Sequence, residues 1–180
     1  ILKKEFGVIG LQHWFHANGV DESNVYIAYK PKSKGLGNSQ VLPKDYVQQR
    51  DIEIVLSEMA EQVSIMLRKA HKKASTVSIF VGYSRIENKK PISTQRKIEP
   101  TNNTKILTET VLSLFRSKYS RGAVRQIGVR YDDFVDESFS LLSLFDDYES
   151  IEKEDKLQQS IDSIRNEFGF LAIQKATSLL

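Results

Sequence analysis

The sequence contains no cysteine, no long apolar run and almost no net charge. Without cysteine there are no disulfide frameworks, thiolate zinc sites, Fe–S clusters or cysteine nucleophiles, and the composition fits a cytoplasmic chain. No apolar stretch approaches the ~20 residues of a membrane-crossing helix, and no signal-peptide pattern opens the chain. The chain begins at Ile1 rather than Met, already inside a helical pattern, so a fragment of something larger is expected. Catalytic signatures are also missing. No serine lies in G-x-S-x-G. Asp132-Asp133 and Asp146-Asp147 pair carboxylates, but neighbours on a strand point to opposite faces and do not clamp two metals. His13 and His16 share a helix face without an evident third ligand. Neither an active site, nor a metal site, nor a small-molecule substrate is expected.

What is present is a segregation of charge. The total of +3 conceals residues 30–130, with 20 basic and 8 acidic side chains (net +12), followed by residues 131–180, with 4 basic and 12 acidic ones (net −8). A basic middle and an acidic end point to a polyanion partner for the middle alone. Nucleic acid is the first candidate, and a membrane surface the weaker one.

Residues 2–18 carry a short helical pattern interrupted by Gly7 and Gly10, with Leu11, Trp14 and Phe15 as its apolar stripe and Gly19 as its C-terminal stop. A basic stretch, 30–39, leads into a strand at 36–42. From Asp51 to Ala70, Ile52, Val55, Leu56, Met59, Val63, Met66 and Leu67 recur at helical spacing. Thr76–Ser84 alternates, with Val77, Ile79, Val81 and Tyr83 on one side and Ser78, Phe80, Gly82 and Ser84 on the other. A charged turn precedes a second alternating run through Ile98. Lys105–Tyr119 returns to helical spacing with Leu107, Val111, Leu114 and Phe115 inward. Ala123–Phe134 is a last strand, with Ile127, Val129 and Tyr131 opposed to Gln126, Gly128 and Arg130. The order β-α-β-β-α-β predicts an α+β fold of the split βαβ kind, a four-stranded antiparallel-type sheet with both helices on one face. A helical N-terminal remnant and a helical C-terminal tail flank it.

The other face is then open, and it must be solvated or used. It would carry Ser78, Gly82, Gln126, Gly128 and Arg130. Within Arg125-Gln126-Ile127-Gly128-Val129-Arg130-Tyr131, a glycine on the open face lets a phosphate backbone come close while arginines neutralise it. The competing reading is a solvated strand with a packing glycine. Gly35-Leu36-Gly37-Asn38-Ser39 resembles turns whose amides cradle phosphate, although the P-loop spacing is missing and a plain linker explains it as well. Arg96 and Lys97, with Lys89 and Lys90 before them, extend the basic lining. RNA-recognition domains share the element order but stack bases on third-strand aromatics. Here that strand, Ile92-Ser93-Thr94-Gln95-Arg96-Lys97-Ile98, has none, so duplex backbone contact is favoured over base stacking.

These residues resemble a known family. Arg125–Phe134 looks like the last strand of the little-finger domain of Y-family (UmuC/DinB-type, ImpB/MucB/SamB) translesion DNA polymerases. Lys34–Ser39 is similar to the start of that domain. Phe6–Gly10 and His16–Asp21 resemble the end of the thumb, and Leu157–Leu180 looks like the tail of UmuC-like members from Gram-positive bacteria. The resemblance divides the chain into a thumb remnant at 1–24, a basic linker at 25–35, the little finger at 36–136 and an acidic tail at 137–180. It implies a DNA grip serving DNA repair and the SOS-type damage response, not a catalyst. Sequence-independent phosphate contacts on duplex primer-template DNA would fall on Gly35, Gly37, Ser39, Arg125 and Arg130, with Arg96, Lys97, Gln126 and Gly128 lining the same face. Gly7 and Gly10 would present amides to the duplex. The palm would lie before Ile1, and the Mg2+ of the reaction would belong to it, so this chain carries no cofactor and is expected to be inactive alone.

Leu141-Leu142-Ser143-Leu144-Phe145 is similar to the peptide with which family members bind the sliding clamp. Leu142, Leu144 and Phe145 would be the anchors, and Leu141 stands where the family has Gln. The rival readings are a protein-interaction module working through this tail and an unrelated split βαβ domain that binds RNA.

Overall fold

Helical spacing of Ile52, Leu56, Met59, Val63 and Leu67, and alternation of Val77, Ile79 and Val81, give a helix and a strand one apolar side each. In the computed structural model those sides close on one another in a single core. The structure describes residues 2–21, 26, 35–138, 148–174 and 176. The chain forms two units, Ile1–Lys32 and Ser33–Leu180.

In the first unit, α1 (Leu2–Ala17) is broken at Gly7, whose φ of 58° and ψ of −134° leave the helical region. The break folds the Leu2 carbonyl against Gly10, where a Cβ has no room. Gly10 is therefore buried rather than open to a duplex; only Gly7 stays exposed. The helix ends as expected at Gly19 (φ 75°). The Gly19 amide donates to the His16 carbonyl at 3.0 Å and the Val20 amide to the Phe15 carbonyl at 2.9 Å, the paired bonds of a Schellman stop.

The second unit runs β1 (Leu36–Tyr46), α2 (Gln49–Lys69), β2 (Lys72–Tyr83), β3 (Ile92–Thr101), α3 (Thr104–Lys118), β4 (Val124–Asp136) and α4 (Tyr148–Phe168). The expected α+β order is present, and element ends move by a few residues. The strands lie in the order β1-β4-β2-β3, every neighbour antiparallel. Asn103 starts α3 by accepting hydrogen bonds from the Lys105 and Ile106 amides, which satisfies two otherwise unpaired donors. Leu107, Val111, Leu114 and Phe115 of α3 and the apolar stripe of α2 bury against Val77, Ile79, Val81, Ile127, Val129 and Tyr131 of the sheet. The Tyr131 hydroxyl, deep in this layer, donates to the Ala60 carbonyl at 3.0 Å. Burial pushes its pKa far above the ordinary phenol value.

The acidic end of the chain is not simply a solvated tail. Within α4, Asp162 receives a fork from Arg68 of α2, at 2.6 Å from Nε and 2.9 Å from Nη2. Arg165, 7% exposed, reaches Glu61 of α2 at 3.4 Å and donates to the Ile173 carbonyl at 2.7 Å. Arg68 of the basic middle thus meets Asp162 of the acidic end, while Arg165 and Glu61 join the same two segments with the signs reversed. Sequence distance hid a spatial pair.

Candidate nucleic-acid interface

The register of the sheet sets out its open face as rows of partners. Asp132, Thr76 and Lys97 form one row. Gly37, Arg130, Ser78 and Gln95 form the next, then Ser39, Gly128, Phe80 and Ser93, and finally Val41, Gln126 and Gly82. Small side chains dominate these rows. The result is a shallow trough of about 450 Å³, floored by Gly37, Ser39, Ser78, Phe80 and Gly128 and bounded by Gly35 and Arg130.

Two glycines keep the trough low. A Cβ on Gly37 would come within 2.9 Å of the Val129 carbonyl oxygen, and one on Gly128 within 3.3 Å of Ser39 Cβ. Gly37 therefore offers exposed backbone where a longer side chain would hold a ligand off, while Gly128 is buried between Ser39 and Phe80 and keeps the floor flat.

Seven of the nine expected nucleic-acid residues meet here: Gly35, Gly37, Ser39, Lys97, Gln126, Gly128 and Arg130. Arg125 is placed differently. Between Gly82 and Tyr83 the β2 strand advances one residue while β4 goes from Gln126 to Val124, so Arg125 is the extra residue of a bulge. Its side chain is 44% exposed and its guanidinium lies 3.7 Å from Asp45.

Arg96 is a correction. It pairs with Val77, a core residue, so it lies on the helix side and donates to Ser113 of α3 at 3.2 Å. Adjacent residues of a strand face opposite ways, so Arg96 and Lys97 do not line one surface, and it is Lys97 that stays on the open face. Lys89 is also engaged elsewhere, 3.2 Å from Glu87 and donating to the Arg121 carbonyl at 2.9 Å. The clamp-like residues Leu142, Leu144 and Phe145 lie outside the described residues.

Two participants escaped the sequence reading. Phe80 is half-buried at the centre of the face, against Gly82, whose added Cβ would sit 3.3 Å from Phe80 Cε1. The alternation of β2 assigns it to this side, so the open face carries an aromatic although its third strand, β3, has none. The second is Asp132. Arg130 Nε lies 2.9 Å from each of its carboxylate oxygens, and Nη2 lies 2.8 Å from one of them. Hydrogen bonding first, and charge second, raise the Arg130 pKa above its ordinary value. The spacing of two along a strand was the available signal.

Much of the basic surplus is thus internally satisfied. Arg68 holds α4. Arg116 of α3 forks Glu53 of α2, holding that carboxyl below its usual pKa chiefly through the hydrogen bond. Lys72 pairs with Asp136. On the open face Lys97 makes no hydrogen bond or ion pair among the described residues.

An antiparallel split βαβ domain with one helix-covered face and one open, glycine-floored, cation-bearing face is the class that the architecture defines. The comparisons narrow it. The family described as the impB/mucB/samB family C-terminal domain matches residues 33–144. The provisionally named UV-damage repair protein UvrX of Bacillus subtilis (strain 168) is 34% identical over 179 residues, covering 99% of this chain and 42% of that protein. DNA polymerase IV 2 of the same organism is 34% identical over 181 residues, covering 99% and 43%. DNA polymerase IV 2 of Halalkalibacterium halodurans is 32% identical over 182 residues, again 99% and 43%. The chain belongs to the impB/mucB/samB family, the UmuC/DinB-like group to which its motifs pointed, and carries that family's C-terminal domain. It spans less than half the length of each of these relatives.

Proposed function

We propose that this chain is the DNA-gripping C-terminal region of a translesion DNA polymerase, residues 1–24 being the end of the thumb and 36–136 the little finger. The open sheet would lie along a primer-template duplex. The observation that carries this reading is the trough itself: Gly37 leaves exposed backbone in its floor, Gly128 adds no side chain above it, hydroxyls of Ser39, Ser78 and Ser93 line it and Arg130 bounds it, while Lys97 shares the open face and Arg125 is exposed at the bulge. Such a surface suits phosphate oxygens, which accept hydrogen bonds and counter positive charge. It offers no aligned set of side chains for reading base edges. Three cations on three phosphates correspond to a log–log salt slope of about −2.7.

Fluorescence anisotropy with several unrelated duplexes across a salt series tests the proposal. Similar affinities and a steep salt response are expected, and Arg125→Ala with Arg130→Ala should weaken every duplex alike. A flat salt response, or a loss confined to one sequence, refutes it. Competition with single-stranded RNA separates this reading from an RNA-binding role.

A second reading concerns partners and rests on the Leu-Leu-Ser-Leu-Phe string at 141–145. Leu142, Leu144 and Phe145 would anchor the chain in a sliding-clamp pocket. Leu144→Ala with Phe145→Ala should abolish clamp capture while duplex affinity stays constant. The setting for both contacts is the cytoplasm; among the described residues no helix is long and apolar enough to cross a membrane.

A further inference from the structure

Arg130 stands at the edge of the trough, yet one edge of its guanidinium is already occupied. Nε and Nη2, the donors of one edge, both face the Asp132 carboxylate at 2.8–2.9 Å. Arginine recognises carboxylate and phosphate with the same planar fork, so a DNA phosphate that approaches the Nε–Nη2 edge competes with Asp132 for those donors. The arrangement is built into the strand. Positions 130 and 132 share a face because side chains alternate, and both side chains lie over Gly35, where a Cβ would collide with the Asp132 carboxylate and the Arg130 guanidinium. Arg130 is 52% exposed and Asp132 21%, which leaves the pair accessible to solvent and to a ligand. Nearby Thr76 does not hold Asp132 back, since its hydroxyl donates to Asp133 at 2.6 Å.

We propose that Asp132 is an internal phosphate surrogate, a carboxylate that caps Arg130 in the free protein and limits how tightly the open face holds a DNA phosphodiester backbone. This rests on the DNA-backbone reading above and adds a residue that sets affinity against, rather than toward, binding. A grip weakened at one contact releases and re-forms as duplex moves past it, whereas an uncapped arginine would hold on. Asp132 acts through Arg130 and needs no contact with DNA.

The test is anisotropy on the full chain with a labelled duplex, comparing the parent, Asp132→Asn, Arg130→Gln, the double variant and Glu109→Gln. The last removes one negative charge from an exposed position of α3, on the covered side of the sheet. Asp132→Asn is expected to tighten binding roughly 1.5- to fivefold, the range of an exposed ion pair released to a new partner, and to steepen the salt slope by up to about 0.9. In the Arg130→Gln background the same change should do no more than Glu109→Gln does. If Asp132→Asn matches Glu109→Gln with Arg130 intact, or weakens binding, the surrogate role is wrong although the DNA grip stands. If the parent chain shows no salt-dependent duplex binding, the grip falls, and the surrogate with it.

Discussion

Replacing Arg68 by Ala is expected to release α4 from the helix layer. The Arg68 side chain is 13% exposed and that of Asp162 16%. Besides the two bonds to Asp162, Nη1 donates to the Asn102 carbonyl at 2.9 Å, Thr104 Oγ1 at 2.8 Å and Gln158 Oε1 at 3.0 Å. One guanidinium therefore ties α2 to both the β3–α3 turn and α4. Breaking a buried ion pair from one side costs ~3–5 kcal/mol, because the remaining charge is stranded; an exposed pair is worth less than about 1 kcal/mol. This pair lies between those limits, and Asp162 regains water once α4 swings away. A cost of about 2–3 kcal/mol follows, which moves the docked-to-undocked ratio roughly 30- to 150-fold. Hydrogen exchange read by mass spectrometry is the assay. Peptides from 152–168 should lose protection in Arg68→Ala while those from β2 and β4 keep theirs. Arg68→Lys should fall between, since an ammonium does not reproduce the planar fork. Unchanged protection of α4 would refute the latch. Equal loss in β2 and β4 would mean that Arg68 holds the core rather than the tail.

Other substitutions test the sheet itself. Tyr131→Phe should cost about 1 kcal/mol in urea unfolding, the worth of its hydrogen bond to Ala60. Because burial raises the Tyr131 pKa above the unfolded value of 10.0, the folded state holds that proton more tightly. Stability is full below pH 10 and falls as pH rises beyond it, and Tyr131→Phe should flatten that alkaline decline. Gly35→Ala meets only the ends of the Arg130 and Asp132 side chains and should change the unfolding midpoint little. Gly37→Ala meets the Val129 carbonyl, so backbone must shift, at a cost of about 1–3 kcal/mol. Equal effects at Gly35 and Gly37 would contradict this account of the trough floor.

Local pattern was enough for the order of elements. Period-3.6 and period-2 spacing mark α2, α3, β2 and β4, and Gly19 announces the end of α1, because these signals act over one or two turns of chain. Alternation also assigned Gln126, Gly128 and Arg130 to one face of β4, and Phe80 to the same side of β2 as Ser78 and Gly82. It forbade Arg96 and Lys97 from sharing a surface. Which of the two faced the helices depended on the pairing of Arg96 with Val77, and that is a register between strands.

The charge pattern shows the division most clearly. Residue types alone determined a basic middle, an acidic end and an α+β chain able to bury one side of a sheet. Tertiary structure decided which charges remain available. Arg68 meets Asp162 across 94 positions and Arg116 meets Glu53 across 63, while Arg130 is capped by a neighbour two positions on. Coulomb and hydrogen-bond energies fall off over a few ångströms in space, so a count along the chain measures the charge that exists, and only the fold determines how much of it is left to meet a partner.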